Sequence, residues 1–95
     1  MAWPRLDVKP NFGAMPKAPA RPPAHPALAQ FAARLVELRK AKGVSQERLA
    51  MESGVGRSYL SGVERALRNI SLVNITRLAE ALGVEPCRLL ERPGT

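Results

Sequence analysis

Apolar positions follow two regimes along this chain, scattered among prolines as far as residue 27 and helically spaced from Leu28 onward. Leu28, Phe31, Ala32, Leu35 and Leu38, followed by Arg39, recur at i, i+3, i+4, i+7 spacing, which puts them on one face of a helix that Gly43 stops. Ser45 is placed to cap a second helix, because its hydroxyl can accept from a backbone N–H that the first turn leaves unpaired. In that helix Glu47 suits the positive end of the dipole, Leu49 and Ala50 face inward, and Gly54 is the stop. Gly56 then caps a third helix from Arg57 to about Arg65, with Leu60 and Val63 turned to the core, and a loop runs from Ala66 to Ile70. Ser71 caps a fourth helix whose stripe is Leu72, Ile75, Leu78, Ala79 and Leu82, closed by Gly83. Pro86, tolerated at a first helical position, opens a short fifth helix carrying Leu89 and Leu90. No segment alternates strongly enough for a strand, so the pattern predicts an all-α fold.

Residues 1–27 hold Pro4, Pro10, Pro16, Pro19, Pro22, Pro23 and Pro26 among alanines and basic residues. Proline at that density forbids a regular helix and favours extended chain, so this stretch reads as a basic, flexible arm ahead of a helical domain at 28–92. A domain this small buries only about 60% of the surface its unfolded chain exposes, so a dimer interface would help it.

Charge narrows the partner. Fifteen Lys and Arg against eight Asp and Glu leave a formal net charge of +7, which favours a polyanion: nucleic acid first, a membrane surface second. The membrane is disfavoured by the lack of a long apolar run, and an opening of Trp3, Pro4, Arg5 and Asp7 is not a signal peptide, so a cytoplasmic location is expected. One cysteine, Cys87, and one histidine, His25, exclude a disulfide framework and an ordinary zinc cluster, and no metal or cofactor is expected. Cys87 reads as a small apolar residue near an interface. His25 lies in the arm away from an acid-base partner, and Ser45, Ser58 and Ser61 have no base at a recognisable spacing, so the chain does not read as an enzyme.

The informative stretch is Gln46 to Arg65. Ala50 stands four positions before Gly54, a pairing of small side chain and free backbone that lets two short helices meet at a tight turn. Leu49, Val55, Leu60 and Val63 fill the wedge between them, which leaves Arg57, Ser58, Tyr59, Ser61 and Gly62 facing outward, as a recognition helix is presented to a major groove.

Ser45, Gln46, Leu49, Ala50, Gly54 and Val55, followed by Arg57-Ser58-Tyr59-Leu60-Ser61-Gly62-Val63-Glu64-Arg65, resemble the Cro/CI-type (XRE) helix-turn-helix family. The continuation Arg68-Asn69-Ile70-Ser71-Leu72, with Asn74 and Ile75, resembles in particular the controller proteins of restriction-modification systems. The resemblance implies a phage-repressor-like domain of five helices in a bacterial transcription regulator. It also implies a homodimer joined through its C-terminal helices on a pseudo-palindromic operator of double-stranded DNA, with repression as the simplest mechanism. Leu72, Ile75, Leu89 and Leu90 are the expected interface. Carried over by position, Gln46 is expected to bond a phosphate, and Arg57 and Ser58 to read base edges, Arg57 favouring the O6 and N7 of guanine. Tyr59, Ser61, Arg68 and Asn69 are expected to touch backbone or flanking bases, with packing of Tyr59 onto the second helix left open, and Arg39 and Glu64 form a structural pair. Gly56 and Ala66 replace the family's usual Ser or Thr cap and loop Gly, so a weaker cap and a different loop geometry are expected; Gly62 removes a position that reads bases in some relatives. An alternative role is an antitoxin-type module that also binds DNA, its arm wrapping a protein partner through Trp3 and Phe12.

Overall fold

Pro26 is the first residue of helix α1, which runs Pro26–Lys42, and His25 caps it: the ring Nδ1 accepts the Ala27 N–H at 3.0 Å. The helix therefore starts two residues before the expected Leu28, because proline has no N–H to lose at that position and its fixed φ suits the first turn. The structure, a computed structural model, describes residues 25–94, so Trp3, Phe12 and nearly all of the proposed arm lie outside the described residues.

Helix α2 spans Gln46–Ser53 and α3 spans Arg57–Glu64. Helix α4 spans Leu72–Leu82, and a 3-10 turn follows at Pro86–Leu90. The serine caps form as the sequence predicts, with the Ser45 hydroxyl accepting the Arg48 N–H at 3.0 Å and the Ser71 hydroxyl accepting the Asn74 N–H at 3.1 Å. No strand occurs among the described residues.

Three helices end in one way. Gly43, Ala66 and Gly83 each follow a helix with positive φ. Each N–H then bonds a carbonyl three residues back, and the next residue's N–H bonds one five residues back, as in Leu67 N–H to Gly62 C=O at 2.9 Å. Ala66 adopts φ 60°, so replacing glycine there keeps the left-handed turn, contrary to the expected change of geometry, and strains the backbone instead. At the other end of α3, Gly56 offers no side-chain cap, as expected.

Phe31 and Leu35 from α1, Leu49 and Ala50 from α2, Leu60 and Val63 from α3, and Ile75, Leu78, Ala79 and Leu82 from α4 close into one core with Leu89. Two expectations change here. The short fifth helix lies where expected but is a five-residue 3-10 helix, in which Arg34 Nε donates to the Arg88 carbonyl at 2.8 Å and Gln30 Nε2 to the Leu90 carbonyl at 3.3 Å. Side chains of α1, not a fifth α-helix, satisfy those carbonyls.

The expected dimer residues also divide. Ile75 and Leu89 are buried inside this subunit and have almost no surface to offer a partner, whereas Leu72 is 73% and Leu90 56% exposed. Leu72 stands at the first position of α4, where the helical stripe overruns the end of the core it packs on. Cys87 is likewise exposed.

Arg34, absent from the sequence argument, is 2% exposed and ties α1 to the C-terminus. Its Nη1 meets Glu37 Oε1 at 2.6 Å and its Nη2 meets Glu91 Oε1 at 2.7 Å. The other Glu37 oxygen accepts the Gly94 N–H at 2.7 Å. These two donors, Arg34 first, hold the Glu37 carboxyl below the ordinary glutamate range.

Candidate nucleic-acid interface

The turn Gly54 to Gly56 sets α3 against α2, with both glycines at positive φ, 76° and 81°. Leu49, Ala50, Leu60 and Val63 lie buried between the two helices and the rest of the core, and Val55 packs partly against it. Leu60 and Val63 of α3 point inward, Glu64 turns in to meet Arg39, and Arg57, Ser58 and Ser61 are left on the outward side.

That face borders a shallow, open depression. Gln46 from α2, Arg57, Ser58 and Ser61 from α3, and Arg68 from the following loop all line it. Gly62, Arg65 and Leu67 complete the lining. Five of the seven residues expected at DNA therefore share one surface, although Gln46 and Arg68 stand 22 positions apart. Tyr59 and Asn69 sit beside it, joined by the Tyr59 hydroxyl donating to the Asn69 carbonyl at 3.2 Å. Tyr59 is half-buried and leans on the loop after α3, with the Arg68 guanidinium 6.0 Å from its ring centre, so the open question about its direction resolves toward that loop. Arg65, which the sequence reading left out, adds a third guanidinium; its position just after α3 was the available signal.

Beneath the depression lies a buried polar knot. Arg39 Nε and Nη2 meet Glu64 Oε2 and Oε1 at 2.7 and 3.1 Å, and Arg39 Nη1 donates to the Val44 carbonyl at 3.0 Å. The predicted structural pair is thus a two-pronged bridge joining α1, α3 and the α1–α2 turn. Gln46 Nε2 donates to the same Glu64 oxygen at 3.0 Å, which fixes the side chain expected to bond phosphate. Arg57 is 69% exposed, and its only close acidic neighbour among the described ion pairs is Glu47, at 3.4 Å. A pair that open to water is weak and leaves Arg57 available to another acceptor.

Chemically, the surface offers planar guanidinium forks, hydroxyls and a held carboxamide, all suited to phosphate oxygens and base edges. Among the described residues, no cluster of three or more His, Cys, Asp or Glu could hold a metal, and no helix is long and apolar enough to cross a membrane.

Known proteins share much of this sequence and fold. The control protein C.BamHI of Bacillus amyloliquefaciens is 44% identical over 62 residues, covering 64% of this chain and 76% of its own. The crystal structure of the restriction-modification controller protein C.AhdI from Aeromonas hydrophila is 61% identical, with a TM-score of 0.64, over 65% of this chain and 94% of that one. The hypothetical transcription factor NHTF from Neisseria superimposes with a TM-score of 0.69 at 43% identity, over 80% of this chain and 88% of that one. Residues 35–89 match the HTH_3 profile, so the chain belongs to the HTH_3 helix-turn-helix family.

Proposed function

We propose that this chain is a DNA-binding transcription regulator of the restriction-modification controller kind, acting as a homodimer on a pseudo-palindromic operator in the cytoplasm. The observation that carries the reading is the convergence of Gln46, Arg57, Ser58, Ser61 and Arg68 on one open, cationic face of α3. The similarity to C.BamHI and C.AhdI supports the same reading.

In this mechanism α3 enters the major groove. The Arg57 guanidinium leaves Glu47 and donates two parallel hydrogen bonds to the O6 and N7 of a guanine, a match that no other base pair offers in that groove. Ser58 and Ser61 serve neighbouring base edges or phosphates. Gln46, steadied by Glu64, holds a phosphate and sets how the helix enters. Arg65 neutralises a flanking phosphate and Arg68 reaches the backbone or a flanking base, and the cationic face as a whole makes affinity fall steeply with added salt.

Dimerisation uses the exposed Leu72 and Leu90, with Val73 beside Leu72, while Ile75 and Leu89 support them from the core. Two copies then set their α3 helices at half-sites roughly 34 Å apart, one helical turn of DNA. Occupying such a site blocks polymerase, so repression is the simplest output, and no reaction is catalysed.

Selection of bound duplexes from a random-sequence DNA pool tests the reading. The expected product is an inverted repeat with one turn between half-site centres. A pool that stays random through selection, with binding that tracks salt alone, overturns it.

A further inference from the structure

Gly62 sits inside α3 without a positive φ, so the backbone there does not require glycine, and glycine weakens a helix interior. Its use lies in the space it leaves. A Cβ at this position would stand 2.7 Å from Cγ of Arg68, 3.5 Å from its Nε and 3.7 Å from its Cδ. All three are atoms of the exposed Arg68 side chain, and the nearest is its Cγ, so a methyl here would force that side chain to turn away, from its stem outward; the missing methyl is a seat for Arg68.

The loop delivers Arg68 to that seat. Ala66 turns the chain back at φ 60°, and the Leu67 N–H bonds the Gly62 carbonyl at 2.9 Å, which anchors the loop to the residue under Arg68. On the far side the Tyr59 ring lies 6.0 Å from the guanidinium, and Tyr59 is itself held by its hydroxyl to the Asn69 carbonyl at 3.2 Å. Arg68 is thus laid across α3 between Gly62 and Tyr59, on the surface that also carries Arg57 and Ser61.

We infer that Gly62 is a positioning residue for sequence reading: by leaving the seat empty it fixes Arg68, a loop residue, where it supplies the base-edge contact that helix position 62 cannot make itself. The inference rests on the DNA-binding reading above. A guanidinium held in one orientation can present both N–H groups to one base, whereas the same group swinging freely attracts any phosphate. Adding a methyl at 62 evicts the arginine without removing its charge. Selectivity should therefore fall while salt-dependent, sequence-blind affinity and folding persist.

Two measurements on the full chain test this. The first needs no DNA: side-chain NMR shifts of Arg68 should carry the ring-current displacement of Tyr59 in the wild type and lose it in both Gly62→Ala and Tyr59→Leu. The second is the preference for the selected duplex over a scrambled one in wild type, Gly62→Ala, Arg68→Ala and the double variant. Gly62→Ala should lose roughly tenfold or more of that preference, with its melting temperature undiminished. In the Arg68→Ala background the same substitution should change nothing further. Arg68 shifts that stay put in Gly62→Ala, or an equal loss of preference with and without Arg68, overturn the inference. A wild type that prefers no duplex overturns the DNA-binding reading, and the Arg68 shifts then judge the seat separately.

Discussion

Arg39 and Glu64 stand 25 residues apart in sequence, yet two guanidinium nitrogens of one meet both carboxylate oxygens of the other, at 2.7 and 3.1 Å. With side chains only 13% and 5% exposed, the pair is screened from water and locks α1 to the helix that carries the outward face. Removing one partner strands the other charge, so Arg39→Ala should cost about 3 kcal/mol in chemical denaturation. A double replacement by leucine and methionine should recover most of that loss. A single replacement that melts like the wild type would contradict the bridge.

Ala66 holds a left-handed φ of 60° that a Cβ disfavours. Ala66→Gly should therefore stabilise the domain by about 1 kcal/mol, after glycine's greater freedom in the unfolded chain offsets part of the relief. Thermal melting checks it, and a lowered midpoint would mean that the loop carries no strain.

Acid should loosen the C-terminal turn. The Arg34 guanidinium and the Gly94 N–H lower the Glu37 pKa on folding, so its contribution to stability is complete above the ordinary glutamate range and is lost as pH falls through the lowered folded value. Wild type should lose its advantage over Glu37→Gln as the pH drops below that range, read as converging denaturation midpoints. Midpoints with a constant gap from neutral to acid pH would contradict this.

Leu72 is exposed in one subunit and, in the dimer we propose, buried between two. Leu72→Glu should leave the helical circular dichroism unchanged and shift the sedimenting species from dimer to monomer, because a carboxylate cannot be buried there unpaired. A dimer that survives both Leu72→Glu and Leu90→Glu would place the interface elsewhere.

Local signals made much of this legible in the sequence. Ser45 and Ser71 cap because a hydroxyl one residue before a helix has nearby N–H groups to accept from, and Gly43, Gly54 and Gly83 stop helices through their own backbone freedom. What escaped depends on distant partners. Arg34 is buried by Arg88 and Glu91, more than fifty residues away, and nothing in its neighbourhood separates it from an ordinary surface arginine. Leu72 shares the helical spacing of Ile75 and Leu82, but spacing does not reveal where the opposing element ends. The Gly62 seat needed both the loop path and the Arg68 side chain to be seen. The start of α1 at Pro26 was within reach, since proline is favoured at a first helical position.

The central claim, that the outward face of α3 reads DNA sequence, turns on Arg57, the one arginine within that helix, 69% exposed and bound only loosely, to Glu47. Fluorescence anisotropy on the selected operator and on a scrambled duplex, for wild type and Arg57→Ala at matched salt, tests it most directly. The account predicts that Arg57→Ala loses about 2 kcal/mol on the operator, loses far less on the scrambled duplex, and melts at the wild-type temperature. Equal losses on both duplexes would make Arg57 a phosphate contact alone, and no loss on either would remove α3 from the DNA altogether.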